Sequence, residues 1–278
     1  MIRLKSPKIR DTSRLAGEER ADEEYVNYTN RETLEHEKAV YRRVGQCCGI
    51  AQCIKLSEEG ILLEYLRRGD LETYLEHEPE PDQSLKVQWI LSVIDTVSHF
   101  HRSRILIDDI ALRNLLIADD TSLRMIDFGQ CSIFPKDSDM AAANENGMTV
   151  QADIFHLGCV IYSIATWKKF ECNLFDRGYR RPPLQELPAL DHLLCGEIIK
   201  DCWSGQYQSM EDFGQRTRQL QELFQVLRKG DRELCCVDGA LRIFITFAYV
   251  SRACSLFTSF HLKFATMKSP TRSIPWER

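Results

Sequence analysis

The stretch ILIDDIALRNLLIADDTSLRMIDFG, residues 105–129, constrains the fold more than any other part of the chain. Its short apolar runs RILI, NLLI and LRMI alternate with polar bends, the pattern of brief strands joined by turns. NLLI and LRMI flank the turn ADDTS and read as a small hairpin that brings Asn114 and Asp127 near one end. Taken singly, Asp109 and Asn114 are ordinary turn residues and Asp127 an ordinary strand-end cap. Downstream, QADIFHLGCVIYSIATW is apolar on nearly all sides and predicts a buried helix.

The flanking segments supply further strands and helices. The first residues alternate, with Ile2 and Leu4 on one side, and Pro7 closes a short strand. Residues 9–30 are charged and nearly aperiodic, which reads as an exposed loop or insertion. ETLEHEKAVYRRVG sets Leu34, Val40, Tyr41 and Val44 at helical spacing, with Gly45 as the stop. IAQCIKL and GILLEYL, joined by SEEG, predict an antiparallel hairpin. Asp70 is the N-cap of a short helix in GDLETYLEH. SLKVQWILSVIDTVSHFHR lines up Leu85, Trp89, Val93 and Val97 on one helical face. LLCGEIIKDCWSG and SMEDFGQRTRQLQELFQVL add helices. Strands with one helix, followed mostly by helices, make an α+β layout with two unequal lobes.

Three motifs in register carry a family resemblance. Asp109-Ile-Ala-Leu-Arg-Asn114 resembles a catalytic loop of the eukaryotic protein kinase superfamily, Asp127-Phe128-Gly129 its D-F-G, and Asp153-Ile-Phe-His-Leu-Gly158 its D-x-[WF]-x-x-G helix opening. EYLRRGDL and CWSGQYQSMEDF look similar to divergent fungal members. The resemblance implies a bilobal fold. Residues 1–66 would form a small, incomplete β-rich N-lobe, residues 67–228 a larger helical C-lobe, and residues 229–278 a tail unlike kinase sequence.

The same resemblance implies a reaction: transfer of the ATP γ-phosphate to a protein hydroxyl with Mg²⁺, by positioning and charge neutralisation. Asp109 would orient the attacking hydroxyl and accept its proton, with Arg113 touching phosphate or substrate. Asn114 and Asp127 would offer hard oxygens to Mg²⁺. Lys5 would grip the α- and β-phosphates, with Lys8 as the alternative, and Glu37 would pair with that lysine. Leu63 takes the gatekeeper place, the main chain of Glu64 to Leu66 meets adenine, and Leu116 lines its floor.

Departures from the family pattern bear on activity. The chain has no G-x-G-x-x-G to cover the phosphates, so the resemblance implies two missing strands and an N-terminal truncation. Ile107 and Asp108 stand where the family places His and Arg. That Arg pairs with a phosphorylated activation loop, and an Asp repels it. Switching by phosphorylation of Ser132, Ser138 or Thr149 through this contact is therefore not expected. The segment from Gly129 to Asp153 is short and lacks A-P-E, with Glu145 the nearest acidic residue. Ala111 gives the loop a tyrosine-kinase look, but the hydroxyl type stays open. A kinase-shaped interaction module with weak or no catalysis and a small-molecule phosphotransferase are the alternative functions.

Composition narrows the setting. A net charge of −5 argues against a nucleic-acid binder. MIRLKSPKIRDTSR holds no apolar signal core. Eleven cysteines without a C-x-x-C pair read as free thiols in a reducing compartment, hence an intracellular protein, cytoplasmic or nuclear. LRIFITFAYVSRACSLFTSFHLKF is broken by Arg252 short of the roughly 20 apolar residues that a membrane span needs, so no membrane anchor is expected.

Overall fold

Strand β1 (Ile2–Lys5) pairs antiparallel with β3 (Ile61–Glu64), and β3 pairs on its other edge with β2 (Cys53–Leu56). The β2–β3 turn closes with Ser57 N–H on Gly60 O at 2.9 Å. Gly60 is required there, because a Cβ would lie 2.1 Å from the Lys5 carbonyl oxygen. The computed structural model describes residues 2–191, 193, 195–214, 217 and 225, and the chain up to Leu220 forms one compact unit.

Helix α1 (Gly17–Val44) corrects the sequence expectation for residues 9–30: the charged segment is helical from Gly17 onward. Its first half lacks apolar periodicity because it buries little. It is helical for local reasons instead: Glu18 and Glu19 in the first turn and an Arg20–Glu24 ion pair at i,i+4. The second half carries the expected face, with Leu34, Val40, Tyr41 and Val44 buried, and Gly45 ends the helix with a positive φ of 66°.

The helical part follows the sequence closely. Asp70 caps α2 (Leu71–His77), its carboxylate accepting from Thr73 N–H at 2.8 Å. Asp82 caps α3 (Gln83–Arg102) in the same way, and Trp89, Val93 and Val97 are buried while Leu85 is partly so. Strand β4 (Ile105–Leu106) pairs with β7 (Ser132–Ile133), and β5 (Leu115–Ile117) with β6 (Leu123–Met125). β8 (Asn144–Glu145) and β9 (Met148–Thr149) make a short hairpin leading into α4 (Val150–Thr166), buried on nearly all sides as its sequence predicts. Helix α5 (Gly196–Ser204) packs on α4, where Gly158 permits the approach: a Cβ there would meet the Cys202 Cβ at 2.7 Å. A small sheet plus a larger helical part is the α+β class expected.

Residues 210–214 begin the helix expected in SMEDFGQRTRQLQELFQVL. Most of the rest of it, and the tail with Arg252, lies outside the described residues. Among the described residues eight cysteines are free, and no helix is long and apolar enough to cross a membrane.

Candidate functional site

Lys5, the last residue of β1, meets two carboxylates from distant parts of the chain. Its Nζ lies 2.6 Å from Glu37 Oε2 on α1 and 2.9 Å from Asp127 Oδ1 just beyond β6. Burial disfavours the Lys5 charge, but Glu37 and Asp127 more than offset it, and the ammonium titrates above its ordinary range. The Glu37 side chain is 1% exposed, whereas that of Asp127 is 56% exposed. The Asp127 backbone is left-handed (φ 66°), a conformation a non-glycine residue holds only under constraint. Lys8 is exposed, and its main-chain oxygen accepts from Asn30, so Lys5 is the lysine that joins this cluster.

A second cluster surrounds Asp109. Arg113 Nη2 bonds its Oδ1, and Asn114 Nδ2 bonds its Oδ2 at 2.8 Å and its main-chain oxygen at 3.0 Å. Both acceptors fix the Asn114 amide with its nitrogen toward Asp109, which leaves Oδ1 as the free oxygen. The β5–β6 register brings the two clusters together: Leu115 faces Met125, and Ile126 N–H bonds Asn114 O at 2.9 Å. The Asn114 amide oxygen and the Asp127 carboxylate are hard oxygen donors suited to Mg²⁺.

The loop before Asp109 hangs from the first turn of α4. Asp153, 1% exposed, accepts from Ile107 N–H at 2.9 Å, from Asp108 N–H at 2.8 Å and pairs with His101 Nε2 at 2.7 Å. A buried carboxylate with three such partners is satisfied, and it fixes the main chain beside Asp109. Asp108 turns aside with a left-handed φ of 64°, and Tyr179 Oη donates to its Oδ1 over a long 3.5 Å. Burial, then the nearby Asp153 and Asp109, push the Asp108 carboxyl up to about 6, with Tyr179 acting the other way.

Leu63 is buried on β3, and Leu116 is half-buried between the buried Leu115 and Ile117. The Glu64 N–H bonds Gln52 O at 3.0 Å in the sheet. Leu66 lies beyond the strand end, and among the described residues none accepts from its N–H. Glu145 lies in the exposed strand β8.

Four contributors escaped the sequence reading. Glu171 pairs with Arg113 at 2.7 Å, Tyr179 reaches Asp108, and His36 and Arg43 bond the main chain after Gly129. Each meets its partner across tens of residues, and no local pattern marks such contacts; only the helical phase of His36 and Arg43 beside Glu37 offered a hint.

A family model for the protein kinase domain matches residues 19–173, more than half of the chain. Tyrosine-protein kinase Srms of Mus musculus is 23% identical over 71% of this chain and 43% of its own length. Tyrosine-protein kinase SRK3 of Spongilla lacustris is 25% identical over 54% of this chain and 48% of its own. Mitogen-activated protein kinase kinase kinase 20 of Arabidopsis thaliana is 27% identical over 49% and 47%. The chain thus spans less than half the length of these relatives.

Proposed function

Because this chain belongs to the protein kinase domain family, we propose that it transfers the γ-phosphate of ATP to a hydroxyl of a protein substrate. The observation that carries this reading is the pair of joined clusters: Lys5 held by Glu37 and Asp127, and Asp109 held by Arg113 and Asn114. Phosphoryl transfer asks mainly for preset charge and position, and these contacts support that role.

In this reading the Lys5 ammonium neutralises the α- and β-phosphates, and Glu37 keeps it from collapsing onto Asp127 alone. Asp109, with both oxygens held, points at the acceptor hydroxyl and takes its proton. Arg113, tied to Asp109 and Glu171, flanks the incoming hydroxyl. Asn114 and Asp127 would hold Mg²⁺, which when bound neutralises charge on the phosphate oxygens. Leu63 takes the gatekeeper place and Leu116 lines the adenine floor, with the Glu64 carbonyl and the Leu66 amide as adenine's main-chain partners. Residues 1–66 act as the nucleotide lobe and 67–228 as the substrate lobe. The free cysteines accord with an intracellular site, and the EYLRRGDL and CWSGQYQSM segments with a divergent fungal type.

The test is phosphate transfer from labelled ATP with Mg²⁺ to a Glu–Tyr copolymer and to a Ser/Thr-rich protein. Asp109→Asn and Asp127→Asn should each lower transfer by about 10²-fold or more. Equal label from the wild type and both variants would overturn the reading, and the acceptor labelled sorts the hydroxyl type.

A second reading, a kinase-shaped interaction module with little catalysis, is favoured by Asp108 and by the absence of any G-x-G-x-x-G from the sequence. It expects binding of MgATP, or none, without transfer to either acceptor.

A further inference from the structure

Helix α1 does more than present Glu37. From His36 and Glu37 to Arg43, about two turns on, its side chains bond the main chain of the segment that leaves the site. Glu37 Oε1 accepts from Phe128 N–H at 3.4 Å, and His36 Nε2 meets Cys131 O at 2.6 Å. Arg43 Nη1 donates to Phe134 O at 2.9 Å and to Ser103 O at 3.4 Å. Thr33 packs where Gly129 lacks a side chain; a Cβ there would lie 2.6 Å from Thr33 Cγ2. The segment is pinned from its other side too, by the β4–β7 pairing and by Phe134 N–H on Arg104 O at 2.8 Å.

These bonds go to main-chain atoms, so they form whatever the segment's side chains carry. A phosphate would find little use here. The Thr149 hydroxyl already caps α4, accepting from Ala152 N–H, and Ser132 Oγ lies against Met148 Sδ. The loop position that could receive a phosphate is Asp108, flanked by Asp153 and Asp109, and like charge repels it.

We propose that His36 and Arg43 are positioning residues that clamp α1 to residues 128–134, so that Glu37 and Lys5 stay engaged without phosphorylation of the 129–149 segment. This rests on the kinase reading above. A main-chain carbonyl needs a donor, so His36 acts through an Nε2–H that either neutral or charged imidazole can supply. A glutamine amide can replace it; leucine cannot.

The experiment measures kcat and KM for ATP and for acceptor in His36→Leu, His36→Gln, Arg43→Met and Arg43→Lys, with hydrogen exchange over residues 128–134. His36→Leu and Arg43→Met should lower kcat at least about tenfold, the loss expected of a charge-assisted or buried hydrogen bond. KM for acceptor should hold, and exchange over 128–134 should quicken. His36→Gln should recover most of the rate, and Arg43→Lys part of it. Phosphatase treatment of the wild type and Ser138→Ala should change nothing. Full activity with unchanged exchange in His36→Leu and Arg43→Met would overturn the clamp, as would loss of activity on phosphatase treatment. A wild type without transfer overturns the kinase reading instead, and exchange in the same variants then decides whether the clamp exists.

Discussion

Asp108 holds a left-handed backbone and a carboxyl whose charge its surroundings oppose, first through burial and then through Asp153 and Asp109. The folded protein binds this proton more tightly than the unfolded chain does. Stability from this group is therefore full below the ordinary carboxylate value of 3.8 and is lost as pH rises through about 6. Above that, the charged carboxylate is a standing cost. The whole shift would correspond to about 3 kcal/mol; half-burial and solvent screening reduce it to about 1 kcal/mol. Asp108→Asn keeps the Tyr179 acceptor and removes the charge. It should raise Tm at pH 7.5 by about 2–4 °C and flatten the dependence between pH 4 and 6. A lower Tm at pH 7.5 would mean that the carboxylate serves a cation not seen here. The sequence showed an Asp in an Arg position, but not what it would touch. Tyr179 lies 71 residues on, in a loop without periodicity. By contrast the hairpin that brings Asn114 and Asp127 near one end was legible from its two apolar runs, while the roles of Asp109, Asn114 and Asp127 came only from the motif resemblance.

Among the elements, α1 shows where pattern reading stops. Apolar periodicity exists only where a helix packs, and the N-terminal half of α1 packs on little: Tyr25, Val26 and Tyr28 are exposed. The exception is Asn27, 5% exposed, which grips the connection from β1 at both ends of one peptide unit pair. Its Oδ1 accepts from Arg10 N–H and its Nδ2 donates to Arg10 O, each at 2.8 Å. Asn30 adds a bond to Lys8 O at 2.7 Å. A helix thereby holds the loop that follows Lys5, and the long interval from Lys5 to Glu37 is a tether with two fixed ends. Asn27→Ala should destabilise the fold by about 1–2 kcal/mol, since it removes two part-buried hydrogen bonds to the Arg10 main chain. The urea midpoint should fall with m unchanged, and KM for ATP should rise as Lys5 loosens. Asn27→Asp, which can accept but not donate, should fall between. An Asn27→Ala protein as stable as the wild type would show that water replaces both bonds. The helices α2, α3 and α4 were legible for the opposite reason: each has a capping Asp or Thr and a buried face.

At the scale of the whole molecule, the sheet and the helices share one core. The Tyr41 ring meets Phe128 edge-on at 5.3 Å, and Phe128 meets Phe100 at 4.9 Å. α1, the residue after Asp127 and α3 are thereby joined, and Phe128 and Phe100 are fully buried. The class of fold was legible from the order of strands and helices, but this junction was not. It depends on side chains brought together from residues 41, 100 and 128 by no local rule. A continuous core predicts how ligand binding is felt. Nucleotide engaging Lys5 and Asp127 stabilises both sides of the cleft at once, and the energy reaches the shared core through Glu37 and Phe128. At 100 times Kd, a non-hydrolysable ATP analogue with Mg²⁺ contributes about 2.7 kcal/mol, which should raise Tm by about 5–10 °C in a chain of this size. The whole transition should move as one, and Asp127→Asn should abolish the shift. Two transitions, with only the lower one moved by nucleotide, would mean that Tyr41 and Phe128 touch without coupling the two parts. An undivided shift that survives in Asp127→Asn would place the nucleotide elsewhere than beside Lys5.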